Sequence, residues 1–568
     1  MITPALSARS LLTTSLTAIG AMLLTANASA QILRVSTFGA NSNSGYTWGT
    51  ALRTVQKALN LAATDPSITR IEVAAGTYKP GGSRSSSFQL VDGVTLIGGY
   101  PAAGGSTSDP DSNVTVLSGD IGTAGDITDN CYTVVLALNT SNARLEGFRI
   151  RRGNADGATT GPFGHGGGLY AEDASLLVTK CRFYKNTGRM GGAASLWSTA
   201  LTFSDCRFVD NAAGVGGGAI ASTATTNGGP CDVMVNRCWL LGNFGQTYGG
   251  AIWNSSKMSV YDSVLSGNQS FGYGGAISSA TDNDTTRVAN CTLANNVAAT
   301  AGGAYYEGSG NSDLVNSIFW DNTASGASTE IAPAGVSAHH CDIDDLTGSS
   351  VSGYANIDAD PEFVDALGGD GVAGTADDNP RIERGSPCIN AGDNAAVPIF
   401  ATLDIDRASR IQRPMLIMPS IVDIGANEIG PLTILFPGTI ATIDLDIEVD
   451  GSAATIGGTD AVLVPGGSRL EARLLPNASS QVGLPCGLTL DSFVGSTAPS
   501  FPGLPGVHFG LNAVTLLFPA LPAQGQLLVI DPIPQGLAGS MMLQGHVLSP
   551  QAANGLFASS RGRELRFQ

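Results

Sequence analysis

The 568-residue sequence predicts an all-β chain: a right-handed parallel β-helix with an N-terminal capping helix, followed by a small C-terminal β-sandwich. Three observations carry this. A phrase of the form Cys/Ser-x-Phe/Leu-x-x-Asn recurs six times, and each copy follows a Gly-Gly pair and a short apolar word. Apolar and polar residues alternate inside each copy, which is the period of a strand and not of a helix. The chain has 74 glycines and only 13 % charged residues, a composition that starves helices and suits many turns between short strands.

The copies are Cys181-Arg-Phe183-x-x-Asn186, Cys206-Arg-Phe208-x-x-Asn211, Cys238-Trp-Leu240-x-x-Asn243, Ser263-Val-Leu265-x-x-Asn268, Cys291-Thr-Leu293-x-x-Asn296 and Ser317-Ile-Phe319-x-x-Asn322. Their asparagines lie 25, 32, 25, 28 and 26 residues apart. Self-similarity at such a period means stacked structural units. About 25 residues hold three short strands and three turns at roughly 3.3 Å per residue. Each unit leaves a rim of backbone donors and acceptors that only the next unit satisfies, so the units stack as a parallel coil.

The columns then acquire jobs. Phe/Leu fills the interior, with the small Cys/Ser beside it as a buried hydrophobe; a bridge between stacked cysteines is the alternative. The Asn column, residues 186, 211, 243, 268, 296 and 322, suits a turn needing the left-handed conformation, with amides hydrogen-bonding from coil to coil as a structural ladder. Gly-Gly marks another tight corner. Toward the N-terminus an amphipathic stretch, Thr50 to Ala63, reads as a helix covering the open end of the stack.

Residues 1–30 read as a secretory signal peptide, with a single charge at Arg9, an apolar run from Leu11 to Leu24 and the small triplet Ala28-Ser29-Ala30. That run is shorter than the roughly 20 residues a spanning helix needs, so a soluble secreted or cell-surface protein without a transmembrane segment is expected. The net charge of −18 argues against nucleic acid as a partner. Nine cysteines are too few for a disulfide framework and, being odd, leave at least one thiol unpaired within the chain.

Several segments resemble a known group. Val94-Thr-Leu-Ile-Gly-Gly-Tyr100, Leu117-Ser-Gly-Asp-Ile121 and the Gly-Gly-Ala-Ile/Phe-x-x-Asn repeats look like secreted bacterial β-helix proteins of the pectin-lyase-like superfamily, with repeats similar to those of polymorphic outer-membrane proteins. Asn356 to Asp365, Gly385-Ser-Pro-Cys-Ile-Asn-Ala-Gly392 and Val422-Asp-Ile-Gly-Ala-Asn-Glu428 resemble the closing segment of such proteins, a choice-of-anchor type module. The expected division is a β-helix over 31–428 and a β-sandwich-like domain over 429–568. The superfamily includes lyases, hydrolases and adhesins, so the resemblance implies a fold more than an activity.

Motifs for chemistry are sparse. Lyase and galacturonidase pieces are missing around Arg149-Ile-Arg151 and Gly164-His165-Gly166, and the stacked Arg182 and Arg207 read first as solvent-facing strand positions. Asp370, Asp377 and Asp378 stand at turn spacing that suits a structural Ca²⁺, with a solvated loop as the alternative. His339-His340-Cys341 is a weak zinc candidate because strand neighbours face opposite ways. Cys341 and Cys388 are the expected disulfide pair. Two functions follow: binding or adhesion to an extracellular polysaccharide or cell-surface component, without catalysis, displayed on turns such as Ser222 to Pro230, or a pectate-lyase-like elimination on an acidic polysaccharide.

Overall fold

The computed structural model describes residues 30–429 except 225–228, 280–284, 310, 326–329, 334–335, 347–350, 384 and 412–420, and beyond them the backbone of strands between Ile443 and Phe567. The expected signal peptide up to residue 29, and the middle of the Ser222 to Pro230 turn, lie outside the described residues.

One coil runs through Ser175–Thr179, Arg182–Tyr184, Thr187–Met190 and Ala194–Trp197 before Ala200–Ser204 returns onto the first of them, with Leu176 beside Leu201 and Val178 beside Phe203. Four strands per coil replace the expected three. The additional strand sits between the Asn and Gly-Gly columns and is only two to five residues long, too short for alternation to announce it. Stacking yields four parallel sheets: sheet one with 12 strands, sheet two with 10, sheet three with 7 and sheet four with 9, in their order around the coil. Inward residues of all coils form one core, including Cys181, Phe183, Cys206, Phe208, Cys238 and Leu240. The Phe183 and Phe208 rings stack with centroids 5.0 Å apart. All eight described cysteines are buried free thiols.

The N-terminal end is covered as the amphipathic pattern requires. Helix α1, Val55–Ala62, is capped by the Thr54 hydroxyl, which accepts from the Lys57 amide at 3.3 Å, and buries Val55, Ala58, Leu59 and Ala62 on the first coil.

The asparagines form a continuous amide ladder. From Asn211 onward each side-chain oxygen accepts from both the backbone N–H and the side-chain amide of the Asn one coil earlier, as at Asn243 Oδ1, 3.1 and 3.0 Å from the two nitrogens of Asn211, while Asn186 Oδ1 accepts from Gly153 N. Each amide nitrogen also donates back to the preceding coil, Asn243 Nδ2 to Phe208 O at 3.0 Å. The run ends where Glu330 takes the place of a further amide, accepting from Asn322 N at 2.8 Å and Nδ2 at 2.7 Å. The left-handed residue is not the asparagine but its predecessor: Lys185, Asp210, Gly242, Gly267, Asn295 and Asp321 have φ between 53° and 61°. The asparagine thus turns its side chain inward, and the residue before it absorbs the corner. A second left-handed column precedes Cys/Ser: Lys180, Asp205, Arg237, Asp262, Asn290, Asn316 and His340. At the Gly-Gly corner the first glycine of later pairs has positive φ, and a Cβ on Gly249 would lie 1.8 Å from the Ile252 carbonyl oxygen.

After the last coil strand, Ser352–Tyr354, the chain returns along the outside of the stack. Ile405 and Ala426 pack on Trp239, Leu241 and Val264, while Ile382, Cys388 and Ile424 pack on Ile318. This closing segment therefore covers the C-terminal half of the outer face of sheet two. Farther on, strands between Ile443 and Phe567, including Ile443–Val449, Val514–Phe518 and Gln526–Ile530, pair largely antiparallel into a four-stranded and a six-stranded sheet. Among the described residues no helix is long and apolar enough to cross a membrane.

The ladder predicts that Asn243→Ala, by orphaning the buried donors and acceptors of Asn211, Phe208 and Asn268, lowers stability by about 3 kcal/mol or more, at about 1–3 kcal/mol per unsatisfied group. Urea unfolding of the full chain measures it, as a fall in the midpoint.

Candidate functional site

Outward residues of sheet two lie in register along the coil axis. Arg149 pairs with Arg182, Arg182 with Arg207, and Arg207 with Trp239. Coils stack at about 4.8 Å, so three guanidinium groups rise from consecutive turns. The closing segment packs on the sheet from Trp239 onward, and Arg149, Arg182 and Arg207, before it, are partly exposed. The result is a groove of about 400 Å³ lined by Arg182, Arg207, Lys180 and Asp205, and walled by Ser108 to Asp111 of an N-terminal loop and by Arg407 of the closing segment. A second hollow of about 380 Å³, bordered by Arg70, Tyr100, Arg144 and Glu146, adjoins the same loop at Ser108.

Charge in the groove is unevenly compensated. Arg182 meets Asp111 at 2.5 Å, Lys180 meets Glu146 at 3.1 Å, and Asp205 receives Arg237 at 3.0 Å and Arg407 at 3.3 Å. Burial opposes ionisation of Asp205, yet Arg237 and Arg407 hold its carboxyl below the usual range. Arg207 has no ion pair among the described residues, and its guanidinium lies 5.5 Å from the Trp239 ring centroid. Desolvation, and then the neighbouring Arg182, pull its pKa below the ordinary arginine value. Arg381 approaches the same ring at 5.1 Å while paired with Asp406. The arrangement places Arg149, Arg182 and Arg207 in one row on a chain whose net charge is −18.

The closing segment that supplies Arg407 is fixed by a buried ion cluster. The fully buried Arg410 donates from Nε to Asp262 Oδ1 at 2.9 Å and from Nη1 to Glu428 Oε1 at 2.8 Å, and its remaining donors reach the carbonyls of Asn290, Gly425 and Ala426. Burial raises the pKa of Asp262 and lifts that of Glu428 to about 9, with Arg410 opposing both. Farther along the same corner column, Asn316 exchanges two hydrogen bonds with the Asp393 backbone and His340 Nδ1 lies 3.3 Å from Ala391 O. Gly242 and Gly267 stand where the Gly374 backbone crosses the coils; a Cβ at Gly267 would lie 2.3 Å from Gly374 N.

Of the three acidic residues expected to hold calcium, Asp378 takes part in this docking, while Asp370 and Asp377 are exposed and bonded within their own loop. Asp378 is buried and accepts from Ser266 Oγ at 2.9 Å and Gly374 N at 2.6 Å, tying the loop to a coil. Asp377 accepts from Thr375 Oγ1 at 2.6 Å and Asp370 from Val372 N at 2.8 Å. Among the described residues, no group of three or more His, Cys, Asp or Glu is arranged to hold a metal ion.

The expected Cys341–Cys388 disulfide is corrected: both are free thiols. Cys341 belongs to the coil interior, whereas Cys388 packs against the outer face. Its thiol therefore meets the outward neighbour of Cys341, donating to Asp342 Oδ2 at 3.0 Å. His339 and His340 diverge, as strand neighbours do: His339 Nε2 lies 3.0 Å from Ser337 Oγ, while His340 turns to the closing segment. The sequence reading missed Arg410 and Asp111, each a single charge outside any repeat; register alone brings Arg149 into line with Arg182 and Arg207.

Among known proteins, residues 110–265 match the family model for the right handed beta helix region. No curated protein and no solved structure matches the chain.

Two outcomes follow from the docked segment. Arg410→Met strands Asp262 and Glu428 in the interior at a cost of about 3–5 kcal/mol, so amide hydrogen exchange across 385–411 and 421–429 accelerates while exchange in the coils around Phe183 is unchanged. Burial, first among several causes, raises Asp342 and Asp423 to about 6 in the folded chain. Unfolded aspartates titrate near 3.9, so between about pH 4 and 6 the folded state keeps protons that the unfolded state has lost, and stability falls as pH rises through that window. Protection of 385–411 and 421–429 is accordingly greater at pH 5 than at pH 7.

Proposed function

We propose that the chain is an exported, cell-surface or extracellular β-helix protein that binds an anionic polysaccharide along the groove of sheet two. One observation carries this above the others: Arg149, Arg182 and Arg207 rise in register at the coil spacing on a chain of net charge −18, and Arg207 lacks an acidic partner among the described residues. The row matches an extended polymer with repeated acid groups better than a compact ligand. Trp239 at its end offers an aromatic face beside the cations. The N-terminal signal peptide supplies export, and the C-terminal strands, folded as a β-sandwich, supply attachment or a second contact.

Binding without catalysis is the first reading. A lyase-type elimination is the second, with Arg207, in register with Arg182 and beside the Trp239 ring, as the residue placed to act on the substrate.

The test is titration of the full chain with polygalacturonate and with an uncharged galactan. Binding is expected to the acidic polymer alone and to weaken with salt. Arg182→Ala with Arg207→Ala is expected to weaken it at least tenfold, because two charge-assisted contacts are lost. Equal binding of both polymers, or no loss in the double variant, contradicts the groove. A rise in absorbance from unsaturated products, abolished by Arg207→Lys, selects the lyase; binding with no product selects the binder.

A further inference from the structure

We infer that Asp111 is an internal competitor for the groove's ligand and sets the charge that a ligand must carry to enter; this rests on the groove being a polyanion site. The loop that bears it is built to hold it in place. Ser108 Oγ donates to Gly98 O at 2.7 Å and Asp109 N to Gly99 O at 2.8 Å, rooting the loop on sheet one. The Asp109 carboxylate then accepts from the Asp111 amide at 3.1 Å, the Ser112 amide at 3.2 Å and the Ser112 hydroxyl at 2.7 Å. Asp109 is thereby occupied within the loop, and Asp111 projects its own carboxylate onto Arg182 at 2.5 Å.

Stability does not account for this contact. The side chains of Asp111 and Arg182 are 77 % and 39 % exposed, and exposed pairs contribute little. The position in the row is more informative. Arg182 is the middle of three stacked arginines, so Asp111 neutralises the centre of the row and leaves Arg207 to one side and Arg149 to the other. Its carboxylate occupies the place a ligand's acid group would take. Because it is tethered, it acts at a high effective concentration that a single-acid sugar does not match. A polymer with acid groups on successive units engages Arg207 and Arg149 first, and its exchange for Asp111 is then intramolecular as well. The loop selects polyanions over monomeric acids: a single acid that needs Arg182 has its apparent affinity scaled by the fraction of molecules in which Arg182 is free, whereas a polymer held also at Arg207 and Arg149 loses less.

Asp111→Asn keeps the shape of the exposed side chain and removes the competing charge. Calorimetric titration at low salt compares the full-length wild type, Asp111→Asn, and Asp111→Asn with Arg182→Ala, against polygalacturonate, galacturonic acid and uncharged galactan. Asp111→Asn is expected to bind galacturonic acid about two- to five-fold more tightly, the range set by loss of an exposed ion pair, and polygalacturonate more tightly by a smaller factor, with galactan unchanged and the gain cancelled by Arg182→Ala. Unchanged or weaker binding of polygalacturonate by Asp111→Asn, with wild type still binding it, overturns the competitor and leaves the groove standing. If neither protein binds polygalacturonate, the groove and the competitor fall together.

Discussion

Everything in this molecule depends on the unsatisfied rim of hydrogen-bonding groups that each coil presents to the next. A strand of a parallel stack has no partner inside its own coil, so its amides and carbonyls are satisfied only by the coil before and the coil after. Pairing then holds equivalent residues in line along four sheets. Once register is imposed, a residue type repeated in sequence becomes a column in space. The asparagines become a buried amide ladder, the phenylalanines and leucines a continuous core, and the arginines a cationic row.

The same constraint divides the outer surface. Sheet two turns one residue inward and its neighbours outward in every coil, so its outer face is a strip that something must cover or leave to solvent. From Trp239 onward the closing segment covers it, held by Arg410 against Asp262 and Glu428 and by Asp378 against Ser266. Before Trp239 the strip carries arginines and stays open between the Ser108 to Asp111 loop and Arg407. One face thus serves two ends: docking where its outward residues are apolar or small, and charge where they are basic. The corner column makes the same change, from Lys180 and Asp205 in the groove to Asp262, Asn290 and Asn316 under the closing segment.

How much of this the sequence discloses follows from what repeats. The coil stack, its inward columns and the capping helix are periodic or amphipathic features, and a single sequence displays period directly. The fourth strand of each coil escaped because two to five residues carry no usable alternation. Sequence places the left-handed corner one residue late, at the asparagine, because Asn tolerates that conformation; the positions that adopt it are as varied as Lys185, Asp210 and Gly242. The site was less legible than the fold. Arg182 and Arg207 were visible as a pair, but Asp111 and Arg407 come from segments about 70 and 200 residues distant. Their convergence depends on how a loop and a returning strap lie across the coils, which no local pattern encodes. The expected bridge between Cys341 and Cys388 across the closing segment fails for a related reason: one thiol lies in the coil interior and the other on the outer face.

A cationic row built by register makes a geometric demand on the polyanion proposed for it. An acid polymer held by Arg149, Arg182 and Arg207 must lie parallel to the coil axis, advancing from one turn to the next, with its end toward Trp239. The most direct measurement is a crystal structure of the full chain with a short uronate oligosaccharide. The account predicts the oligosaccharide along sheet two, its carboxylates on consecutive arginines and Asp111 displaced from Arg182. An oligosaccharide bound across the coils, or on another sheet with the Asp111–Arg182 pair intact, contradicts it.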